Sequence, residues 1–275
     1  MRAPLFLISL ALSSAACSDG AEYADKTGAS AASEKSEARA PAKAKAKPVS
    51  VVKTAEKDGG TWEFSYQWPA AVSAIPELAK QLGAERDELE KEDRAEWDAS
   101  LAELAGDGEC GGCRSRSLSK EWKVVANLPN WLSLSADFSN YTGGAHGMYG
   151  RQSLIWDKQA KTSLKAVDLF NSPVALEQGL GARLCDVLNK EREKRRGVAV
   201  QPGGDSIFDE CPGLDEATVL VGSSNGKTFD RIGIYFGPYV AGPYAEGAYE
   251  LDFDVTASVL DAVKPEYAKA FSVRQ

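Results

Sequence analysis

The sequence predicts an α+β protein built from antiparallel sheets and two long helices, in two small sub-domains packed as one body. Three observations point there. Short runs in which apolar and polar residues alternate are bounded by Gly, Pro and Asn, as in half-buried strands and their turns. Two longer segments carry apolar residues at helical spacing. The 275 residues are 43% apolar and 26% charged, ordinary for a globular chain and far from collagen-like, multi-span or disulfide-dense compositions.

The first sixteen residues read as an export signal. Arg2 gives a positive start, Leu5 to Leu12 an apolar stretch too short to span a bilayer, and Ser14-Ala15-Ala16 small residues before Cys17. This junction resembles a bacterial lipobox, with Ser14 where leucine is usual, and the resemblance implies cleavage and acylation of Cys17. Acyl chains contribute about 0.8 kcal/mol per buried methylene, so two or three of them hold a protein on a membrane without a transmembrane helix. Ser18 resembles an outer-membrane sorting signal where the organism has two membranes. The expected location is the cell envelope, lipid-anchored and facing the periplasm or the exterior. Residues 18–57, rich in Ala, Lys, Ser and Glu around Ala40 to Pro48, complete a lipidated, disordered linker over 17–57.

The folded part starts at Trp62 to Trp68, where aromatic and polar residues alternate until Pro69 stops the strand. A helix is predicted from Ile75 to Leu104, with Ile75, Leu78, Leu82, Leu89, Trp97, Leu101 and Leu104 on one stripe. Residues 85–98 hold eight acids and three bases, the expected solvated face of that helix. Strands follow at 122–126, 131–138 and 152–156, joined by turn-forming Leu128-Pro129-Asn130 and a glycine-rich loop. One helix over 173–195 directs Leu176, Leu180, Leu184, Val187 and Leu188 inward and ends in basic residues that suit its dipole. After an irregular stretch at 201–213, strands are predicted at 218–221, 229–236 and 249–255, with a hairpin turn in 222–226 and a short helix over 257–263.

Excess acid, 40 Asp+Glu against 32 Lys+Arg and a net charge of −8, argues against a nucleic-acid partner, which needs concentrated positive charge. Loss of residues 1–16 would remove only Arg2 and leave −9. The single histidine, His146, rules out most sites built on two or three imidazoles. No serine-nucleophile elbow, paired-histidine zinc motif or phosphate loop is present. Asp252 and Asp254 share a strand face, where exposed carboxylates are far commoner than glycosidase pairs. No catalytic residue, metal or cofactor is therefore expected.

Four cysteines besides Cys17 suit two disulfides in an oxidising compartment. Cys110–Cys113 and Cys185–Cys211 are favoured, because Gly111-Gly112 supplies the tight turn that a C-x-x-C ring needs. In the chain-entropy model the longer loop is worth roughly 3 to 4 kcal/mol and the shorter about 2. A redox C-x-x-C and a four-cysteine zinc site are the rival readings.

The most specific stretch is Tyr141-Thr142-Gly143-Gly144-Ala145-His146-Gly147, followed by a strand to Asp157 and by Asp168-Leu169-Phe170. It resembles the RsiV-type extracytoplasmic domain, as does Ile234 to Pro243 with its P-Y-x-A-G loop. Upstream, Phe64 to Pro69 and the following helix resemble the companion domain found in RsiV and before the catalytic domain of PdaC deacetylases. The resemblance divides the chain into a PdaC-type domain at 58–140 and an RsiV-type domain at 141–275. Neither a sigma-binding segment nor a deacetylase domain accompanies them, so signalling and deacetylation are not implied. Because RsiV-type domains bind lysozyme, a non-enzymatic lipoprotein that binds a macromolecular partner is implied, with a lysozyme-like muramidase as one partner. One alternative is a module binding peptidoglycan or glycan, for which 24 aromatic residues offer stacking surfaces, and a less favoured one is an enzyme with an unrecognised site. The candidate binding loop comprises Tyr141, Thr142, Gly143, Gly144, His146 and Tyr149. Its glycines permit close backbone approach. His146 either satisfies backbone groups and pins the loop, or faces a partner.

Overall fold

A computed structural model describes residues 46–105, 110, 112–200 and 206–275. The expected signal segment, Cys17 and the linker up to residue 45 lie outside them. The described residues form one compact unit.

Two strands, β1 (Val49–Lys57) and β2 (Gly60–Trp68), open the fold as an antiparallel hairpin. Asp58 and Gly59 both take positive φ, 49° and 75°, the turn that matches strand twist when only two residues connect. The expected linker is therefore too long by a strand. Its Val49-Ser50-Val51-Val52 run adds an edge to the sheet, exposed along most of its length, and that exposure is why its composition looks like a spacer. After a single turn, α1 (Ala70–Ser73), comes the 28-residue helix α2 (Pro76–Glu103), with Pro76 at its first turn. The chain then enters β3 (Arg116–Asn127), which pairs with β2 in parallel. This corrects the expectation of purely antiparallel sheets: α2 is the crossover that returns the chain to the same end of the sheet, as a parallel pair requires.

The sheet continues antiparallel through β4 (Trp131–Tyr141), β5 (Met148–Asp157) and the short β6 (Thr162–Leu164), in spatial order β1 to β6. It thus runs through the predicted 140/141 boundary. Between Val124 and Ala126 the β3–β4 register slips by one residue, a β-bulge.

Period-two geometry gives this sheet two different faces. Trp62, Phe64, Tyr66 and Trp68 pack with Leu134, Leu154 and Trp156 against Leu78, Leu82, Trp97 and Leu101 of α2. On the other face, Ala126 and Ile155 join a second core. That core is closed by α3 (Pro173–Leu180), α4 (Arg183–Arg196), a three-stranded antiparallel sheet of β7 (Thr218–Gly222), β8 (Arg231–Phe236) and β9 (Tyr249–Asp254), and α5 (Ala257–Asp261). Where one helix is predicted over 173–195, two are found. Gly181 at φ 60°, ψ −148° breaks the helical path, a conformation open to glycine and costly to other residues. Among the described residues no helix is long and apolar enough to cross a membrane.

The acidic run of α2 is not wholly solvated. Asp93 is buried and accepts hydrogen bonds from Trp62 Nε1 (2.8 Å) and Arg116 Nε (2.6 Å). Glu85 pairs with buried Lys120, which also donates to Gln152 Oε1 at 2.5 Å. Asp93 and Lys120 can be buried because they are paired and hydrogen-bonded, the condition under which burial is tolerated.

Candidate functional site

The β4–β5 connection holds the predicted binding loop. It turns through Gly143 and Gly144, both beyond φ +90°, which side-chain-bearing residues resist. Tyr141 Oη donates across the loop to the Gly144 carbonyl at 3.0 Å. Thr142 and His146 are exposed. The His146 ring lies on Tyr244, centroids 3.9 Å apart and 20° from parallel. Its Nδ1 sits 2.9 Å from the Gly147 carbonyl, which only accepts, so Nδ1 is the donor. Tyr239 Oη approaches Nε2 at 3.5 Å, the outer limit of a hydrogen bond.

Tyr239 and Tyr244 belong to the β8–β9 connection, about a hundred residues downstream. Tyr239 is 49% exposed and held at φ 69°, a left-handed backbone that is rare for an aromatic residue. Tyr244 donates to the Gly147 carbonyl at 2.8 Å, and Tyr149 Oη accepts from the Ala248 amide at 3.2 Å. Ring contacts of 5.6 Å (Tyr239–Tyr244) and 6.0 Å (Tyr149–Tyr244) complete an aromatic cap across two loops. Tyr141, His146 and Tyr149 belong to the loop predicted from the sequence, and the structure brings them together with Tyr244. Tyr239 and Tyr244 were legible only as part of a loop, although the repeated Gly-Pro-Tyr at 237–239 and 242–244 is a signal that marks both.

Below the cap, α4 grips the second loop. Arg195 Nη1 donates to the carbonyls of Glu246 (2.6 Å) and Ala248 (2.9 Å). Arg196 binds Glu246 at 2.8 Å, and Tyr249 Oη donates to the same carboxylate. Burial and that carboxylate push the Tyr249 hydroxyl up to about 12. Burial by itself would raise Glu246, but the hydrogen bonds from Arg196 and Tyr249 outweigh it and hold the carboxyl below its ordinary value.

Beside Tyr149 runs a groove of about 330 Å³, lined by Ser119, Asp137, Phe138, Arg151, Tyr235 and Glu250 among others. Arg151 spans it, donating to Asp137 and Glu250 at 2.7 Å each with its guanidinium over the Tyr235 ring. Asp252 and Asp254 bind Arg231, and Asp254 also binds Arg274. Bonds join Cys110 to Cys113 and Cys185 to Cys211. Among the described residues no three His, Cys, Asp or Glu side chains converge as a metal site would require.

Residues 55–149 match the family described as Deacetylase PdaC. No curated protein matches the chain. Solved structures similar to it include two from bacteria. One is a DUF3298 family member from Bacteroides fragilis, 19% identical, covering 76% of this chain and 89% of its own at a TM-score of 0.46. The other is a DUF3298 family protein from Pseudomonas aeruginosa, 16% identical, covering 82% of this chain and 97% of its own at a TM-score of 0.42.

Proposed function

We propose that this chain is a non-enzymatic envelope lipoprotein, anchored through Cys17, whose aromatic cap binds a macromolecular partner, with a lysozyme-like muramidase as that partner. The observation that carries the reading is exposed His146 stacked on half-buried Tyr244, with exposed Tyr239 beside them in a left-handed backbone. Strained backbone of this kind persists where surrounding structure holds it and clusters at binding and switch sites. Rigid tyrosines are the residues on which protein interfaces concentrate their binding energy, because they bring large contact area at low entropic cost. The recognition reading of His146 draws on its exposure and on its contacts, a backbone carbonyl at Nδ1 and a phenol at Nε2. A net charge of −8 speeds encounter with a basic enzyme.

A second reading, a glycan-binding module, draws on the groove beside Tyr149, where aromatic rings lie among carboxylates and hydroxyls as sugar faces and edges require. One experiment separates the two: calorimetric titration of the purified full-length protein with a basic lysozyme and with soluble peptidoglycan fragments, at low and moderate salt. Saturable, salt-sensitive lysozyme binding that Tyr244→Ala weakens by about tenfold or more is expected. Binding to the fragments alone moves the protein to the second reading, and binding to neither overturns both.

A further inference from the structure

Each loop of the aromatic cap rests on one of the two disulfides. The first loop lies against the Cys110–Cys113 ring. A Cβ placed on Gly143 would stand 3.1 Å from Cys113 Cα, and Tyr141 Oη reaches the Gly112 carbonyl at 3.4 Å as well as Gly144. The ring thus backs the turn that delivers His146.

The second loop is held through a buried cation. Arg192 is fully buried and its described partners are neutral oxygens: Nε donates to Ala241 O (2.9 Å), Nη2 to Glu210 O (2.8 Å), and Nη1 to Asn189 Oδ1 (3.0 Å), with Asp209 O at 3.5 Å. Burial, with Arg196 close by, lowers its pKa. Ala241 lies between Tyr239 and Tyr244, and Glu210 precedes Cys211. Cys211 is bonded to Cys185, two helical turns before Arg192 on α4. The bridge fixes the 209–211 segment to the helix. The segment's carbonyls complete the coordination of Arg192, and Arg192 in turn holds the backbone between the two cap tyrosines. Without the bridge, two of the oxygens around a buried guanidinium can leave, and an under-satisfied buried charge drives local rearrangement.

We infer that the cap is a redox-dependent binding surface, assembled with His146 on Tyr244 only while both disulfides are closed. The inference rests on the reading of the cap as the binding site and names its regulation. A dithiol supplies the chemistry. Its thiolate attacks one sulfur of a bridge, forming a mixed disulfide and releasing the other cysteine. Its second thiol then closes the reagent's own disulfide and frees the remaining cysteine. Two electrons and two protons pass to the protein, and the dithiol is oxidised.

His146 is the only histidine in the chain, so its imidazole proton resonances report on the cap alone. In full-length wild type they are shifted upfield by the Tyr244 ring, and Tyr244→Ala supplies the unstacked reference. Cys185→Ser/Cys211→Ser and, separately, Cys110→Ser/Cys113→Ser are expected to move them toward that reference. Tryptophan fluorescence from the α2-packed core should stay native, and affinity for the basic lysozyme should fall by about tenfold or more. Where a double variant does not fold, folded wild type is titrated with dithiothreitol below its unfolding temperature and the same resonances are followed. Unmoved His146 resonances in reduced, folded protein overturn the inference. A His146 shift in a protein that binds no lysozyme even when oxidised sustains the clamp and overturns the partner.

Discussion

Tyr239 couples a backbone cost to a recognition surface. A left-handed conformation costs an ordinary L-residue roughly 1 to 2 kcal/mol, which glycine avoids. Tyr239→Gly is therefore expected to melt at or above the wild-type temperature while lysozyme binding falls; a lower melting temperature would show that the ring stabilises the fold. Asp93 is the opposite case, a charge serving the fold. Asp93→Ala removes the acceptor for both Trp62 and Arg116, leaving a buried indole N–H and a largely buried guanidinium with less to bind. A loss of about 3 kcal/mol in chemical denaturation is expected, and a smaller one for Asp93→Asn, which keeps one acceptor oxygen.

At the scale of elements, β1 shows how an exposed edge strand hides in a polar composition. Its residues carry little apolar burial, yet it covers the edge of β2, where Trp62, Phe64, Tyr66 and Trp68 alternate. A chain starting at residue 58 would leave that aromatic strand as an open pairing edge. Such a truncation should melt lower and self-associate in size-exclusion chromatography, whereas a chain starting at residue 46 should remain native. The linker reading passed over the hairpin, although one dipeptide, Asp58-Gly59, is a signal for it amid the surrounding Lys and Glu. The parallel pairing of β2 with β3 was not legible in the same way. It depends on where a 28-residue helix returns the chain, and no local pattern records that.

For the whole molecule, acid should loosen the fold. Asp137 and Glu246 each meet a desolvation cost that hydrogen bonds outweigh, from Arg151 and Lys123 at Asp137 and from Arg196 and Tyr249 at Glu246, so both pKa values lie below their ordinary 3.8 and 4.5. A carboxylate whose pKa is depressed by folding gives stability that is complete above its unfolded value and lost as pH falls through the folded one. The melting temperature should hold from neutrality down to about pH 5 and decline below the ordinary carboxylate values. Glu246→Gln should melt lower at neutral pH with a shallower acid decline; an unchanged decline would remove Glu246 from the acid response.

The sequence by itself determined what neighbouring residues decide: strands from period-two alternation, helices from apolar spacing, turns from Gly, Pro and Asn, and the glycine-rich loop that carries His146. Tertiary structure decided what depends on partners far along the chain. Asp93 reads as surface until Trp62 and Arg116 meet it, and a helix over 173–195 reads as continuous until Gly181 takes its non-helical conformation. The cap exists only where the β4–β5 and β8–β9 loops meet, because a ring stack and a shared Gly147 carbonyl need two segments nearly a hundred residues apart to be packed together. Local pattern fixes which face a residue can present, and packing decides what that face meets.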